Sequence, residues 1–86
     1  MDPYNFIKHP VSTEKAIRMM ESENKLVFVV DNNADKPDIR KAVESMFGVK
    51  VTQVNVYHSP KGKKLAYVKL DASSPALDVA TQLGLI

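Results

Sequence analysis

Residues 49 to 70, VKVTQVNVYHSPKGKKLAYVKL, leave the chain few alternatives. Two runs of β-forming residues meet at Pro60-Lys61-Gly62, and turn chemistry between such runs predicts two antiparallel strands. In the first run Val49 and Val51 alternate with polar neighbours, but the apolar phase then moves to Val54 and Val56. A β-bulge between Thr52 and Gln53 would absorb the extra residue. The second run puts Ala66, Val68 and Leu70 on one face and Leu65, Tyr67 and Lys69 on the other. This stretch holds five of the twelve basic residues and none of the ten acids, so the net charge of +2 divides into +5 here and −3 elsewhere. A segregated basic edge points to a polyanionic partner, because clustered lysines gain affinity by displacing counterions from phosphates.

The flanking chain supplies elements to pack against this hairpin. Asp2 to Val11 carries two prolines and reads as an extended lead-in, with Phe6 and Ile7 pinning it to the body. Ser12 or Thr13 caps a short amphipathic helix over residues 13 to 22, with Ala16, Ile17 and Met20 on one face and Lys15, Arg18 and Glu21 pointing away. Lys25 to Asp31 is a strand without a polar face, the pattern of a sheet centre or of a strand covered on both sides. Asp35, Pro37 and Asp38 start a helix that ends at Phe47 with Gly48 as its stop; Ile39, Ala42, Val43, Met46 and Phe47 line its buried face. Ser74-Pro75 opens a last helix, with Leu77, Ala80 and Leu83 expected inside and Gly84 closing it.

The expected order is therefore α-β-α-β-β-α. It predicts an α+β fold, a small open sandwich with a three-stranded mixed or antiparallel sheet and helices mainly on one face, as one domain over residues 1–86. The crossover helix suggests a parallel relation between the first two strands, and the tight turn an antiparallel third. The sheet's other face would be free for a large partner.

Composition narrows the function classes. Zero cysteines exclude disulfides, thiol nucleophiles and Cys-based zinc sites. The longest apolar run, Leu26 to Val30, is far short of a membrane span, and residues 1 to 15 have no signal-peptide pattern, so a cytoplasmic protein without membrane insertion is expected. His9 and His58 lie in unrelated segments, and there is no nucleophile elbow, Gly-rich phosphate loop or HExxH pair. Asp31, Asp35 and Asp38 are better explained by turn and cap chemistry than by a metal. No enzyme, metal or cofactor is expected.

The positive signals are basic and aromatic. Lys61, Lys63 and Lys64 crowd the hairpin turn, where they either bind phosphate or solubilise an exposed tip. Tyr57, His58 and Tyr67 interleave with them, as rings that stack on bases or pack across strands. Lys36, Arg40 and Lys41 form a second basic area on the central helix. Asn55 stands between two strand valines, able to hydrogen-bond a nucleotide or a bulged backbone.

Ordered matches then converge on a family. Ile7-Lys8-His9-Pro10-Val11-Ser12-Thr13-Glu14-Lys15 joins an apolar residue and a proline to Thr-Glu-Lys. Asn24 to Asp31 matches a first strand, and Lys36, Ile39, Arg40, Ala42, Val43, Glu44 and Phe47 match a central helix. Val49-Lys50-Val51, Val54-Asn55 and Gly62-Lys63-Lys64 followed by Ala66-Tyr67-Val68 complete the set. Over almost its whole length the sequence resembles the ribosomal large-subunit protein L23 family in its archaeal form.

The resemblance implies a cytoplasmic, ribosome-bound protein that holds large-subunit (23S) rRNA near the mouth of the polypeptide exit tunnel. Neighbouring ribosomal proteins and nascent-chain factors such as the signal recognition particle would be its partners, and no homo-oligomer is expected. The rRNA contacts would come from Lys8, His9, Thr13, Lys15, Lys36, Arg40, Lys41, Lys50, Asn55, Tyr57, His58, Lys61, Lys63, Lys64 and Tyr67. Glu14, Arg18, Phe47 and Gly48 would lie at the factor-docking surface. The turn spans only about Ser59 to Lys63, too short to line the tunnel as the long bacterial hairpin does, and Leu65 stands where a third consecutive basic residue is usual. The lack of a basic N-terminal extension agrees with the archaeal form. The competing reading is a free-standing protein-interaction module of the same fold that does not touch RNA.

Overall fold

A computed structural model describes residues 6–85. The chain runs β1 (Ile7–Pro10), α1 (Glu14–Glu23), β2 (Lys25–Val30), α2 (Lys36–Phe47), β3 (Val51–His58), β4 (Lys64–Leu70) and α3 (Ala76–Gln82). The fold is α+β as expected, with one open sheet in the order β1-β2-β4-β3 and every neighbouring pair antiparallel.

One expectation about the sheet is corrected and another is made more specific. The lead-in from Phe6 to Pro10 is not merely extended: Ile7–Pro10 pairs with β2, giving four strands rather than three. Pro10 is compatible with this because β1 is an edge strand and a proline there removes no obligatory ladder bond. Asp2 to Asn5 of the same lead-in lie outside the described residues. The parallel relation expected across the crossover helix holds, but without direct pairing. Strands β2 and β3 run in the same direction, but the hairpin returns β4 into the gap between them, so the crossover through α2 spans one strand position. Filling that gap gives β4 partners on both sides, which satisfies backbone donors and acceptors that a buried strand cannot leave open.

One face of the sheet makes the core. Leu26, Phe28 and Val30 of β2, Ala66, Val68 and Leu70 of β4, and Val51 and Val54 of β3 pack under Ile39, Ala42 and Val43 of α2, with Met20 of α1 and Val79 and Ala80 of α3. The rings of Phe28 and Phe47 stack with centroids 6.0 Å apart. The predicted bulge is present. The β3–β4 register shifts between Val51 and Gln53, and the Thr52 hydroxyl donates to the Lys69 carbonyl at 3.2 Å. The extra residue returns Val54 and Val56 to the side of Val51; an unbroken alternation would have turned them outward.

Helix ends follow the sequence closely. Thr13 Oγ1 accepts from the Ala16 N–H at 3.2 Å, and the Asp38 carboxylate accepts from the Asp35 N–H at 3.2 Å. Gly48 ends α2 at φ 64°, a left-handed conformation that costs glycine nothing. Glu44 then ties helix to sheet by accepting from the Val51 N–H at 3.0 Å.

The last helix departs from expectation. Its buried face is Ala76, Val79 and Ala80, with Leu83 half-buried, whereas Leu77 is 51% exposed. Pro75 is the cap residue instead of the first helical residue, and Ser74 does not cap the helix. The cap comes from Asn24, at the left-handed end of α1 (φ 55°): its Oδ1 accepts from the Ala76 N–H at 2.6 Å. The same side chain donates through Nδ2 to the carbonyls of Leu70, Asp71 and Ser74 at 3.1 to 3.2 Å. A single amide therefore joins the end of α1, the end of β4 and the start of α3. In the connecting turn, Ser73 donates its hydroxyl (2.6 Å) and its N–H (3.0 Å) to the Asp71 carboxylate and holds that group below its ordinary value of 3.8.

Candidate nucleic-acid interface

Strand alternation that buries Phe28 and Val68 turns the intervening residues to the opposite face. The registers set these residues in rows. Lys25 stands beside Lys69, and Lys69 beside Gln53; Val27 stands beside Tyr67, and Tyr67 beside Asn55; Val29 lies between His9 and Leu65, with Tyr57 next to Leu65. Among the described residues the strand positions of this face hold no acid, although Glu23 at the end of α1 reaches Lys25 at its border. Tyr57 is 49% exposed and Tyr67 half-buried. As diagonal neighbours on paired strands they stand roughly 7–8 Å apart. Of the predicted contacts, His9, Asn55, Tyr57 and Tyr67 are thus brought together. Lys15 and Thr13 lie at the lip of a shallow apolar groove between α1 and the sheet, whose floor includes Val27, Leu65 and Tyr67.

The hairpin turn corrects a further expectation. Lys61 and Lys63 are exposed, but Lys64 is only 7% exposed and does not join them. It falls in the row of Val30 and His58, on the helix side of the sheet, and its ammonium donates to the carbonyls of Ala34 (2.6 Å) and Asn32 (3.2 Å). Burying a lysine requires such partners; here they are the carbonyls of the loop that leads into α2. The expected three-lysine cluster is a two-lysine tip with an internal third. His58 shares the inner phase of Lys64, away from the tyrosines.

The remaining predicted residues occupy other places. Lys36 and Arg40 flank a groove beside the free edge of β3, next to Thr52, Gln53 and Val54. Lys41 is exposed on α2, Lys50 is exposed ahead of β3, and Lys8 is exposed at the β1 irregularity. Among the described residues the ion pairs are Lys25 with Glu23 at 3.4 Å and Arg40 with Glu44 at 3.9 Å, so the tip lysines and Lys69 have no acidic partner there. The expected docking residues divide between two helices. Glu14 and Arg18 are exposed on α1, Gly48 is exposed at the end of α2, and Phe47 is half-buried with its ring stacked on Phe28.

Lys25, Gln53 and Lys69 were not among the sequence candidates, although they share the open face. The phase of Lys69 with Tyr67 was visible in the alternation. That Lys25 lies beside it was not, because β2 and β4 are far apart in sequence.

A family model described as Ribosomal protein L23 matches residues 5–76. The chain belongs to the ribosomal protein L23 family. It is 45% identical over 85 residues to a protein from Methanococcus aeolicus named large ribosomal subunit protein uL23, covering 99% of each chain. It is 41% identical over 85 residues to a protein of the same name from Trypanosoma brucei brucei, covering 99% of this chain and 52% of that longer one. Membership makes it a structural ribosomal protein and not an enzyme, and RNA binding is typical of this family.

Proposed function

We propose that this protein is a structural constituent of the large ribosomal subunit in the cytoplasm, held on 23S rRNA by its open sheet face and hairpin tip. The observation that carries the reading is the face on which Asn55, Tyr57, Tyr67 and Lys69 converge beside Lys61 and Lys63, with no acid at its strand positions among the described residues, in a chain of this family. Lysines without acidic partners release counterions when they meet phosphate, and aromatic rings on a sheet face offer bases a stacking surface. Lys36 and Arg40, across the β3 edge, supply a second contact. The short tip anchors the protein on RNA near the exit tunnel and does not enter it.

Titration with a large-subunit rRNA fragment at increasing salt tests this. Affinity falls steeply, by about 0.7 to 0.9 log units per tenfold salt for each phosphate neutralised. No binding at low salt would overturn the RNA reading in favour of a protein-interaction module.

The exposed acid Glu14, with Arg18 on the same helix, is proposed to meet factors that receive nascent chains, such as the signal recognition particle; a carboxylate offers a partner's Arg or Lys a charge-assisted hydrogen bond. Replacing Glu14→Ala should weaken factor binding to assembled subunits while assembly is unchanged. Equal factor binding would leave Glu14 with only its place in the first turn of α1.

A further inference from the structure

The groove between α1 and the open face is built differently from the rest of the basic surface. Its floor is apolar, from Val27, Leu65, the Tyr67 ring and Met19, and Lys15 provides the only charge that lines it. Beside it on the same face, Lys25 and Lys69 are cross-strand neighbours. Like charges directly opposite on a sheet are destabilising. Glu23, 3.4 Å from Lys25, offsets one of them, and Lys69 is left without an acidic partner among the described residues. An apolar slot with an aromatic wall, cationic on its lip and on its flank, suits a ligand with a flat uncharged ring and negative charges on either side.

We propose that this groove takes the base of an unpaired nucleotide in an RNA strand, stacked against Tyr67, with the flanking phosphates held by Lys15 and Lys69. The inference rests on the RNA reading above and specifies it: the open face binds a single strand, whereas the tip lysines meet phosphates of either a strand or a helix. A duplex keeps its bases stacked inside and has none to offer the slot, so the preference for single strands follows from the groove's shape and apolarity. Tyr57, half-exposed and diagonal to Tyr67, provides the surface for an adjoining base.

The test uses the full chain with methyl-labelled methionine, since Met19 lines the groove while Met20 and Met46 pack against the core and serve as references. Four probes are compared: an unstructured mixed-sequence RNA oligonucleotide, an oligonucleotide of the same length made of abasic ribose phosphates, an RNA duplex, and an amphipathic helical peptide. The unstructured strand should shift the Met19 methyl signal and bind at least several-fold tighter than the abasic strand. Tyr67→Leu should weaken the unstructured strand by about 5- to 150-fold, the range of one base-aromatic stack, and leave the duplex unchanged. The methyl shift and the abasic comparison need no variant, so they decide the matter even if Tyr67→Leu folds poorly. Equal affinity for the abasic strand, or RNA binding without a Met19 shift, would overturn the base site while leaving the lysine-mediated RNA reading intact. A Met19 shift with an amphipathic peptide but with neither RNA would overturn it in favour of protein docking. Failure to bind either RNA probe or an rRNA fragment would overturn both readings.

Discussion

The two faces of the sheet are built from alternate residues of the same strands, and they obey opposite rules. On the helix side Phe28, Val68 and Leu70 are buried among apolar neighbours, and even a lysine at position 64 is tied to backbone carbonyls. On the open side Tyr57, Tyr67, Asn55 and Lys69 stand among neighbours that leave much of them in solvent. Residue type alone therefore does not assign a role. Lys63 and Lys64 are adjacent in sequence, yet the strand period sends one to solvent and the other under the loop before α2. Adjacent residues can differ completely in what their loss costs.

The comparison is broken most severely if the helix side proves tolerant. Phe28→Ala should destabilise by about 3–5 kcal/mol, which for a chain this small is much of its total stability, whereas Tyr57→Ala on the open face should stay within about 0.5 kcal/mol. Urea denaturation of the two variants measures the contrast.

Next in size is the Asn24 junction. Asn24→Asp should cost about 2–3 kcal/mol, because it keeps the acceptor for Ala76 but presents a carboxylate to three carbonyls that now receive an N–H. Asn24→Gly should cost less, since glycine adopts the left-handed conformation freely. Equal losses would mean that the amide hydrogen bonds missing from both variants, and not the carboxylate facing three carbonyls, set the cost. Both are read from urea midpoints.

Lysine substitutions sharpen the contrast further. Lys64→Met keeps the aliphatic stem but leaves the buried Ala34 carbonyl without its donor, an expected loss of about 1–2 kcal/mol with RNA affinity unchanged apart from that loss of folded protein. Replacing Lys61 and Lys63 together by Ala should do the reverse. Stability changes by less than about 0.5 kcal/mol, and the salt slope for an rRNA fragment falls by roughly 2.

The smallest effect is at Asp71. Its carboxyl is held below 3.8 by Ser73, so its contribution to stability is full above that value and is lost as pH falls through the lower folded-state value. Ser73→Ala removes the hydroxyl bond but keeps the backbone one, so it should reduce this acid dependence, seen as a somewhat flatter melting temperature across pH values below 3.8 than the parent shows, with little change at neutral pH.

Much of this was legible in the chain. The bulge at Thr52 followed from the moved apolar phase, the start and stop of α2 from Asp35, Pro37 and Gly48, and the family from its ordered motifs. The candidate site was half legible. Tyr57 and Tyr67 could be named but not assigned, since the same ring serves packing or stacking depending on which face it joins. Lys64 was misjudged because a lysine beside a turn ordinarily faces water, and nothing local shows the two carbonyls that await it. Leu77 was misjudged because α3 buries the stripe of Ala76, Val79 and Ala80, and in so short a helix the spacing of Leu77, Ala80 and Leu83 fits a face equally well.

What the sequence determined by itself is local: where strands and helices begin and end, that the hairpin is basic and acid-free, and to which family the chain belongs. These depend on spacing and on neighbours within a few residues. Tertiary structure alone decided that β4 lies between β2 and β3, that β1 joins the sheet, and that Lys25 comes to stand beside Lys69 and Tyr67 beside Val27. The physical reason is that strand pairing is set by which edges the remaining chain leaves open, and a one-residue shift in that pairing moves every side chain to the other face.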